Sequence, residues 1–372
     1  MWLLLATMLG PSAEAAEGLD GLETALRDVQ KQFPVEVASE AVYRAALEGV
    51  AAHLDALTGT KGNRVMTQGE LDAHTRWMEG HRSGIGAEFT IVQGRGLMIT
   101  EVFESGPAQA AGLEAGDVVI SIDQRPLTGL SSAAIHARVV QTSAEVSVFD
   151  VRRASGGVRK LSIARGAYKR PVVQSMSGRE HTPIAWVPFF GNGTADALAE
   201  WLKEHKSADA VVLDLRDNEG GSLDEVVRTA DLFLDRGAIV VNRGHLGGTL
   251  EPVTASSEAS WLREVVLLVN QGTAGAAEAF AAALRDNGRG VLVGTRTGGR
   301  AVDSSVYDVG RGFVMKVADI QLTSPSGTSW ARAGLEPNVV VKATEVTLSV
   351  GDLEPPQDLQ RDTALHMISG VN

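Results

Sequence analysis

The spacing of apolar residues changes twice along the chain. Residues 18–80 lack long β-branched runs, and their apolar positions recur near helical spacing. The clearest examples are Val42, Leu47, Val50 and Leu54. Residues three or four positions apart lie on one face of an α-helix. The first part of the chain is therefore predicted to be helical.

From about residue 81 short strand-like runs alternate with turns. Four runs are rich in β-branched and aromatic residues, as is typical of strands: 84–92, 96–103, 116–127 and 145–153. A short helix is predicted after the small-residue turn within 104–113, and a second helix over 130–141. These elements predict a compact β-rich domain with two helices.

From about residue 183 helices alternate with short apolar runs. Helices are predicted over 195–205, 222–235 and 276–284, and Ser222 with Glu225 predicts a capping box. The apolar runs resemble strands buried in parallel sheets: 210–218, 238–242, 265–270 and 290–294. This alternation predicts a layered α/β core. The polar segment after about residue 350 contains two prolines and predicts an exposed terminus.

Composition restricts the chemistry and the partners. The formal net charge is −12, there is no cysteine, and the eight histidines are scattered without an H-x-x-x-H pair. Disulfides and thiol catalysis are excluded, and a metal site is not expected because there is no Cys and no His cluster. No basic run is long enough to follow a phosphate backbone, so nucleic acid is not expected as a partner. No cofactor is expected.

The first residues predict export. Trp2 to Leu9 form an apolar run that is too short to span a bilayer. Ala13 and Ala15 give the A-x-A pattern of a signal-peptidase site, which places the mature start near Ala16. No Lys or Arg precedes the apolar run, and a fraying amphipathic terminus is the alternative. We expect a periplasmic or extracellular protein without an integral membrane segment after signal removal.

A glycine-rich loop is a candidate carboxylate site. Gly84 and Gly86 flank Ile85 at the entry to the strand predicted over 84–92. Glycines allow successive backbone N–H groups to converge on an anion. A strand that starts there can accept an extended peptide whose terminal carboxylate the loop binds. A tight hairpin entry is the alternative for this pair of glycines.

The segment ESGPAQAAGLEAGDVV (104–119) makes the peptide-binding interpretation more specific. It resembles the signature of a PDZ domain, through Gly106, Pro107, Ala108, Ala111, Gly112, Leu113, Gly116, Asp117 and Ile120. The Gly84-Ile85-Gly86 loop resembles the carboxylate-binding loop of that family. The resemblance implies that protein or peptide C-termini bind in the groove beside this loop.

Four later motifs occur in a fixed order: DLRDNEGG (214–221), NQGTAGAAE (270–278), TGGRAVDS (297–304) and TSPSGTSWARAGLEPN (323–338). With the PDZ-like segment, they resemble the carboxy-terminal processing, or tail-specific, proteases over roughly residues 40–342. The resemblance implies an α/β core of the ClpP/crotonase type, an N-terminal helical segment and an inserted β-rich PDZ-like domain. The expected regions are a signal peptide (1–15), a helical region (16–80), the PDZ-like domain (81–167), the protease-like α/β domain (168–350) and a polar tail (351–372).

The family's catalytic positions are changed in this chain. The resemblance implies a nucleophilic Ser at Gly275, a general-base Lys at Arg300 and a supporting Gln at Ser304. Glycine cannot form an acyl-enzyme, and arginine does not accept a proton near neutral pH. The family Pro beside the Gly-Gly turn is replaced by Glu219. The N–H groups of Gly220 and Ala276 are expected to remain as a vestigial oxyanion hole.

Another residue could replace the missing nucleophile. Thr273 is the candidate in the motif, with Glu278 or Asp303 as its base, whereas Ser222 is better explained as a helix cap. A Ser-His-Asp site assembled from distant positions is a further alternative. Three hypotheses follow: an exported, non-catalytic protein that binds C-termini, an active serine-type endopeptidase with a rearranged nucleophile, and an assembly protein that binds internal segments.

Overall fold

A computed structural model describes most of the chain. The described residues are 21, 24–28, 30–35, 38–58, 62–92, 94–131, 133–135, 138, 145–179, 181–243, 251–256, 258–342 and 358–369. The predicted signal peptide, and half of the helix predicted over 130–141, lie outside them. None of the helices in the described ranges is long and apolar enough to cross a bilayer.

The secondary structure is mixed. The helices are α1 (Ser39–Thr58), α2 (Gln68–Met78), α3 (Pro107–Ala110), α4 (Thr194–Glu204), α5 (Leu223–Ala230), α6 (Ala276–Asp286) and α7 (Leu359–Ser369). The strands up to the α/β core are β1 (Arg64–Thr67), β2 (His81–Gly84), β3 (Ala87–Val92), β4 (Gly96–Val102), β5 (Val118–Ile122), β6 (Arg125–Pro126), β7 (Val146–Arg152), β8 (Val158–Ala164) and β9 (Gly166–Lys169). The later strands are β10 (Gln174–Arg179), β11 (Thr182–Trp186), β12 (Ala210–Asp214), β13 (Ala238–Arg243), β14 (Val253–Thr254), β15 (Glu264–Val269), β16 (Val291–Gly294), β17 (Val302–Gly310), β18 (Phe313–Thr323) and β19 (Val339–Val340).

The chain divides into two compact units, and the smaller one ends at Gly69 and also contains Ser304–Val317. Within it, β1 pairs antiparallel with the first half of β18, and α1 packs on these strands. The buried face of α1 carries Ala51 together with Tyr43, Leu47 and Leu54. Val50, predicted on this face, is 49% exposed, so the helix is rotated relative to the predicted apolar stripe.

The larger unit comprises Glu70–Asp303 and the chain from Ala318 onward, and it contains the β-rich domain. There β3, β4, β5, β7 and β8 form an antiparallel sheet in that order, around a core that includes Ile99, Leu127 and Ile135. The chain enters and leaves this domain through β2 and β9, which pair with each other. Within the domain Asp117 is buried and forms an ion pair with Arg153 at 2.6 Å, while its carboxylate also accepts from the Glu114 N–H.

The α/β core is a six-stranded sheet in the order β10-β11-β12-β15-β16-β19, with β10 antiparallel at one edge and the rest parallel. Apolar side chains of α4, α5 and α6 pack together with the sheet in one buried cluster. The other cluster, on Ile184, Val212 and Leu268, includes Ala364, Leu365 and Ile368 of α7. The predicted layered α/β architecture is confirmed.

Two sequence predictions about this region are wrong. The run 238–242, interpreted as a strand of the parallel sheet, lies in β13, which pairs antiparallel with β14 and with the second half of β18. The segment after 350, expected as an exposed polar terminus, forms α7 over Leu359–Ser369 with three buried apolar residues. Arg216 holds this helix, because its guanidinium binds Asp214 and also Asp358 just before α7.

Candidate functional site

The centre of the candidate site is the turn between β15 and α6. Gly275 precedes the first residue of the helix and adopts φ 63° and ψ −127°. This left-handed conformation is strained for any residue with a Cβ, and it is typical of the sharp strand-to-helix turn that presents a nucleophile. The backbone therefore has the shape of a nucleophile turn, although its central residue has no side chain.

There is room for a side chain at this position. A Cβ built on Gly275 would lie 3.4 Å from the Glu219 carbonyl oxygen and 4.0 Å from the Gly220 Cα, both ordinary contact distances. Apart from the residues that flank Gly275, no other atom in the described ranges comes within 4 Å. The missing nucleophile has therefore not been replaced by the packing of a neighbouring group.

The Gly-Gly turn after β12 forms the opposite wall. Gly221 has φ 146°, and a Cβ there would lie 2.2 Å from the Phe190 carbonyl oxygen, so the close approach requires glycine. The N–H of Gly220 donates to the buried Asn218 Oδ1 at 2.9 Å. Gly220 was predicted as an oxyanion donor, but its N–H already has an acceptor, and the prediction is wrong for this residue in this conformation. The N–H of Ala276 has no acceptor among the described residues and remains available.

A buried carboxylate joins the turn to the loop that follows β16. Glu278 is fully buried, and its Oε2 accepts hydrogen bonds from the N–H groups of Gly275, at 3.0 Å, and Arg300, at 2.8 Å. Its Oε1 accepts from the Thr297 hydroxyl at 2.5 Å and the Gly299 N–H at 2.7 Å. Burial raises the pKa of Glu278 above its usual value, although these hydrogen bonds oppose the shift. Three of the four donors are backbone N–H groups and the fourth is a buried hydroxyl, so Glu278 is a structural anchor and not a base.

Arg300 extends across the turn towards Glu219. Its Nη2 donates to the Glu219 carbonyl oxygen at 3.1 Å and lies 3.7 Å from the Glu219 carboxylate. The guanidinium thus binds the atom nearest to the position of the missing side chain at Gly275. Sequence reasoning identified both replacements but not their contact. The contact could have been anticipated from the sequence, because Glu219 and Arg300 have opposite charges and both replace family residues in the motifs of the site.

Thr273, the alternative nucleophile, is not available. It is fully buried, its hydroxyl donates to the Leu215 carbonyl oxygen at 2.7 Å, and it accepts from the Asn270 N–H at 3.0 Å. The two hydrogen bonds of this hydroxyl are therefore made with Leu215 and Asn270, and not with Glu278 or Asp303, the residues proposed as its base. The prediction of Thr273 as a nucleophile is therefore wrong, because its side chain is used to fix the turn.

The remaining predicted residues have structural surroundings. Ser222 caps α5 by accepting from the Glu225 N–H, as predicted, but Glu225 binds the Ala195 N–H instead of completing a capping box. Ser304 lies in β17 and belongs to the smaller unit, whereas Asp303 is the last residue of its segment of the larger unit. In the described ranges, no group of three or more His, Asp or Glu side chains is arranged to hold a metal ion.

The second part of the site is the loop between β2 and β3. The carbonyl groups of Ile85 and Gly86 accept from the N–H groups of Ala108 and Phe103, which fixes the loop against α3. The N–H groups of Ile85 and Gly86 have no acceptor among the described residues. Adjacent free N–H groups at a strand entry can bind a carboxylate.

The two glycines of this loop differ. Gly86 has φ 78°, and a Cβ there would lie 3.1 Å from the Gly106 Cα. Gly84 ends β2 outside the left-handed region, and a Cβ would meet only the Tyr168 ring at 3.6 Å. Gly86 is therefore required by the backbone, whereas Gly84 is not. Beside the loop, β3 is an edge strand of its sheet, bonded to β4.

Comparisons with known proteins agree with this geometry. The profile of peptidase family S41 matches residues 185–341, and that of the PDZ domain matches residues 76–148. A carboxyl-terminal-processing protease of Synechocystis sp. is 31% identical over 302 residues, which cover 78% of this chain and 69% of that protein. A protein of Staphylococcus haemolyticus named "Probable CtpA-like serine protease" is 26% identical over 92% of this chain and 71% of its own length.

Two solved structures share the fold. The photosystem II D1 C-terminal processing protease matches with a TM-score of 0.53 at 24% identity, covering 86% of each chain. A structure from Bacteroides fragilis assigned to the S41 proteases matches with a TM-score of 0.62 at 17% identity, covering 94% of this chain and 97% of that one. The ordered motifs, the β15–α6 turn and these matches lead to one conclusion: the chain belongs to the PDZ-containing carboxyl-terminal-processing protease family, peptidase family S41.

Proposed function

We propose that this member of the family does not cleave peptide bonds and acts by binding the carboxyl termini of polypeptides. The observation that carries the proposal is the pairing of Gly275 with Arg300. The nucleophile position has no side chain, and the residue at the base position donates to the Glu219 carbonyl oxygen. An acyl-enzyme requires a nucleophile and a group that removes its proton, and neither is present here.

Binding would occur at the loop of the PDZ domain. A terminal carboxylate would accept hydrogen bonds from the free N–H groups of Ile85 and Gly86, while the preceding residues add as a strand to the edge of β3. The interaction depends on the charge of the terminus, because an amide offers a weaker acceptor to these N–H groups.

The test of non-catalysis uses the purified chain with an unfolded polypeptide labelled at its C-terminus. We expect no release of label. Turnover that a serine-directed reagent abolishes would overturn this part of the proposal.

The test of C-terminal capture compares a fluorescent peptide with a free-acid terminus and the same peptide as its C-terminal amide. We expect the free acid to bind at least about tenfold more tightly, as the loss of a charge-assisted hydrogen bond implies. Equal affinities would support the assembly hypothesis instead, in which internal segments are bound.

We also propose that the protein acts outside the cytoplasm. The support is the apolar run from Trp2 to Leu9 followed by Ala13 and Ala15, together with the absence of cysteine. The check is N-terminal sequencing of the protein recovered from a periplasmic or secreted fraction. A mature start near Ala16 is expected, and an intact terminus in the cytoplasmic fraction would contradict the proposal.

A further inference from the structure

A cleft, distinct from the β15–α6 turn and the β2–β3 loop, lies between the PDZ domain and the α/β core. Its volume is about 740 Å³, within the range of ligand sites in proteins. The PDZ side is formed by β3 and β4, and the core side includes Trp186, Asp214 and Asn270, which lie at the carboxyl ends of β11, β12 and β15. The crevice outside the carboxyl ends of parallel strands is where ligands bind in open α/β sheets.

One wall of this cleft is the free edge of β10. Four consecutive residues of the strand line it, from Gln174 to Ser177. Successive side chains of a strand point to opposite faces, so a cleft that contacts four in a row follows the edge of the strand and not one face. Among the strands that the structure describes, β10 is the outermost of its sheet and is bonded to β11. An unpaired edge offers main-chain donors and acceptors to an extended polypeptide.

The lining has an excess of negative charge. Arg170 is neutralised by Glu88 at 2.8 Å. Arg216 is bound between Asp214 and Asp358, and Arg361 also acts on Asp358 through its charge. Asp358 lies outside the lining, which itself holds four carboxylates and three guanidinium groups and so has a net charge of −1. The lining also contains the carboxylates of Glu101 and Asp217.

Neither Glu101 nor Asp217 has an ion-pair partner among the described residues. Glu101 accepts a hydrogen bond from the Gln174 amide, and Asp217 accepts one from Asn270 at 3.1 Å. The Gln174 Oε1 atom is buried and has no hydrogen-bond partner in the described part of the chain. The Nε atoms of Arg170 and Arg361, which also line the cleft, are likewise buried without a partner there, so the cleft offers unpaired main-chain-type donors and acceptors to an extended segment. Its two carboxylates without an ion pair, Glu101 and Asp217, favour cationic side chains on that segment.

We infer that this cleft binds an extended, basic polypeptide segment, which adds as a strand to the edge of β10 and directs Lys or Arg side chains to Glu101 and Asp217. The site does not include the loop at Ile85 and Gly86, although β3 contributes to both, and it does not require a free carboxyl terminus. The protein therefore has two polypeptide sites, one for a terminus and one for an internal segment.

The ionisation of Glu101 agrees with this arrangement. Burial raises the pKa of Glu101, and the nearby Glu88 charge adds to the shift, while Gln174 and Arg170 oppose it. In the free protein, the stabilising contacts with Gln174 and Arg170 are thus too weak to offset the burial of the Glu101 carboxylate. A bound cation would supply it and would release a proton wherever Glu101 is partly protonated.

The first test measures charge recognition with C-terminally amidated, fluorescein-labelled heptapeptides that alternate Thr or Val with Lys, or with Glu in place of Lys. We expect the Lys peptide to bind and the Glu peptide not to bind. Glu101→Gln/Asp217→Asn should weaken binding of the Lys peptide about five- to tenfold, as the loss of two partly exposed ion pairs implies.

The matched control is Glu104→Gln/Asp209→Asn, which removes the same total charge from exposed residues that do not line the cleft. It should leave the affinity unchanged. Equal affinity for the Lys and Glu peptides, or equal losses in both double variants, would overturn the inference. The free-acid peptide should still bind to Glu101→Gln/Asp217→Asn, which separates a failure at this cleft from a failure of C-terminal capture.

The second test locates the bound segment. Hydrogen exchange of the full chain with the Lys peptide should show new protection of the amides within 174–177. Ser177→Trp, which fills the cleft, should abolish both protection and binding, whereas Ser155→Trp at the exposed turn between β7 and β8 should not. The Lys peptide with alternate N-methylated amides should also fail to bind, because it cannot pair with a strand edge. Protection confined to other segments, or full affinity of the N-methylated peptide, would overturn strand addition.

Discussion

Arg300 and Glu219 form one interaction across the empty nucleophile position. The Arg300 Nη2 lies 3.1 Å from the Glu219 carbonyl oxygen and 3.7 Å from its carboxylate. Both residues occupy positions where the family resemblance implies another residue, Lys in one case and Pro in the other. The carbonyl oxygen would be offered by any residue at position 219, whereas the carboxylate contact depends on Glu219, so the two replacements interact directly through this ion pair.

The first prediction concerns the recovery of chemistry. Gly275→Ser/Arg300→Lys should cleave a labelled unfolded polypeptide, whereas Gly275→Ser alone should be at least about 100-fold slower because Arg300 cannot act as a base. The Ser side chain has space, but the left-handed φ of 63° should lower the free energy of unfolding by about 1–2 kcal/mol. Cleavage assays and urea unfolding of both variants check this. Equal rates for the single and double variants would contradict the role assigned to position 300.

The second prediction concerns Glu278. Glu278→Gln replaces one acceptor oxygen by a donor, so two of its four hydrogen-bond donors lose their acceptor inside the protein. The free energy of unfolding should fall by about 2–4 kcal/mol in urea titrations. Glu258→Gln, an exposed glutamate, is the control and should change it by less than about 0.5 kcal/mol. A similar small effect of Glu278→Gln would show that the carboxylate is not the anchor of the turn.

The third prediction uses the two glycines of the PDZ loop as a matched pair. Gly86→Ala should weaken binding of the free-acid peptide and destabilise the protein by about 1–3 kcal/mol, because φ is 78° and the new Cβ lies 3.1 Å from Gly106. Gly84→Ala should leave both quantities nearly unchanged, since its Cβ meets only Tyr168 at 3.6 Å. Fluorescence anisotropy and thermal unfolding provide the two measurements. Equal effects of the two substitutions would contradict the loop geometry.

The fourth prediction concerns the attachment of α7. Asp358→Ala removes a carboxylate that shares the Arg216 guanidinium with Asp214, and it should lower the free energy of unfolding by about 2–4 kcal/mol. Asp362→Ala, within α7 and without an ion pair among the described residues, should cost less than about 1 kcal/mol. If the two variants unfold at the same denaturant concentration, the helix is held by its apolar face alone.

The fifth prediction concerns pH. The pKa of Glu101 is raised in the folded protein, so the folded state binds its proton more tightly than the unfolded state does. Its contribution to stability is complete below the unfolded pKa of about 4.3 and is lost as the pH rises through the raised value. The wild type should therefore lose stability relative to Glu101→Gln as the pH increases across this window. Urea unfolding of both proteins at several pH values measures the difference, and a constant difference would contradict the shift.

Local sequence patterns were sufficient to predict the turn that carries the candidate site, because the same few residues determine its backbone shape and its chemistry. The NQGTAGAAE motif predicted a strand-to-helix turn with Gly275 at its centre, and the turn is present. The direction of the Thr273 side chain was not predictable, because it depends on β12 approaching from a distant part of the sequence to offer the Leu215 carbonyl oxygen. The Gly220 N–H was misjudged for a different reason, because its acceptor is the side chain of Asn218, only two residues earlier, and this local bond was not considered.

Sheet membership and the C-terminal helix needed tertiary information. The run 238–242 is apolar like its parallel neighbours, but apolar runs do not specify whether their partners are parallel or antiparallel. The segment after 350 begins with polar residues. The buried positions of α7 can be identified only once the helix is placed on the face of the sheet that it covers. Hydrophobic periodicity therefore predicted the fold class and the α/β core, while the pairing of elements determined the rest.

The antiparallel pairing of β2 with β9 has a consequence for how this architecture evolves. His81 faces Lys169 and Gly84 faces Gly166, so the PDZ domain begins and ends at neighbouring points. A domain whose two ends are adjacent can be excised or exchanged as a cassette without stretching the host chain. The peptide-binding PDZ domain and the α/β core can then evolve separately. Within a family, catalytic residues of the core can change while the binding specificity of the PDZ domain continues to diversify.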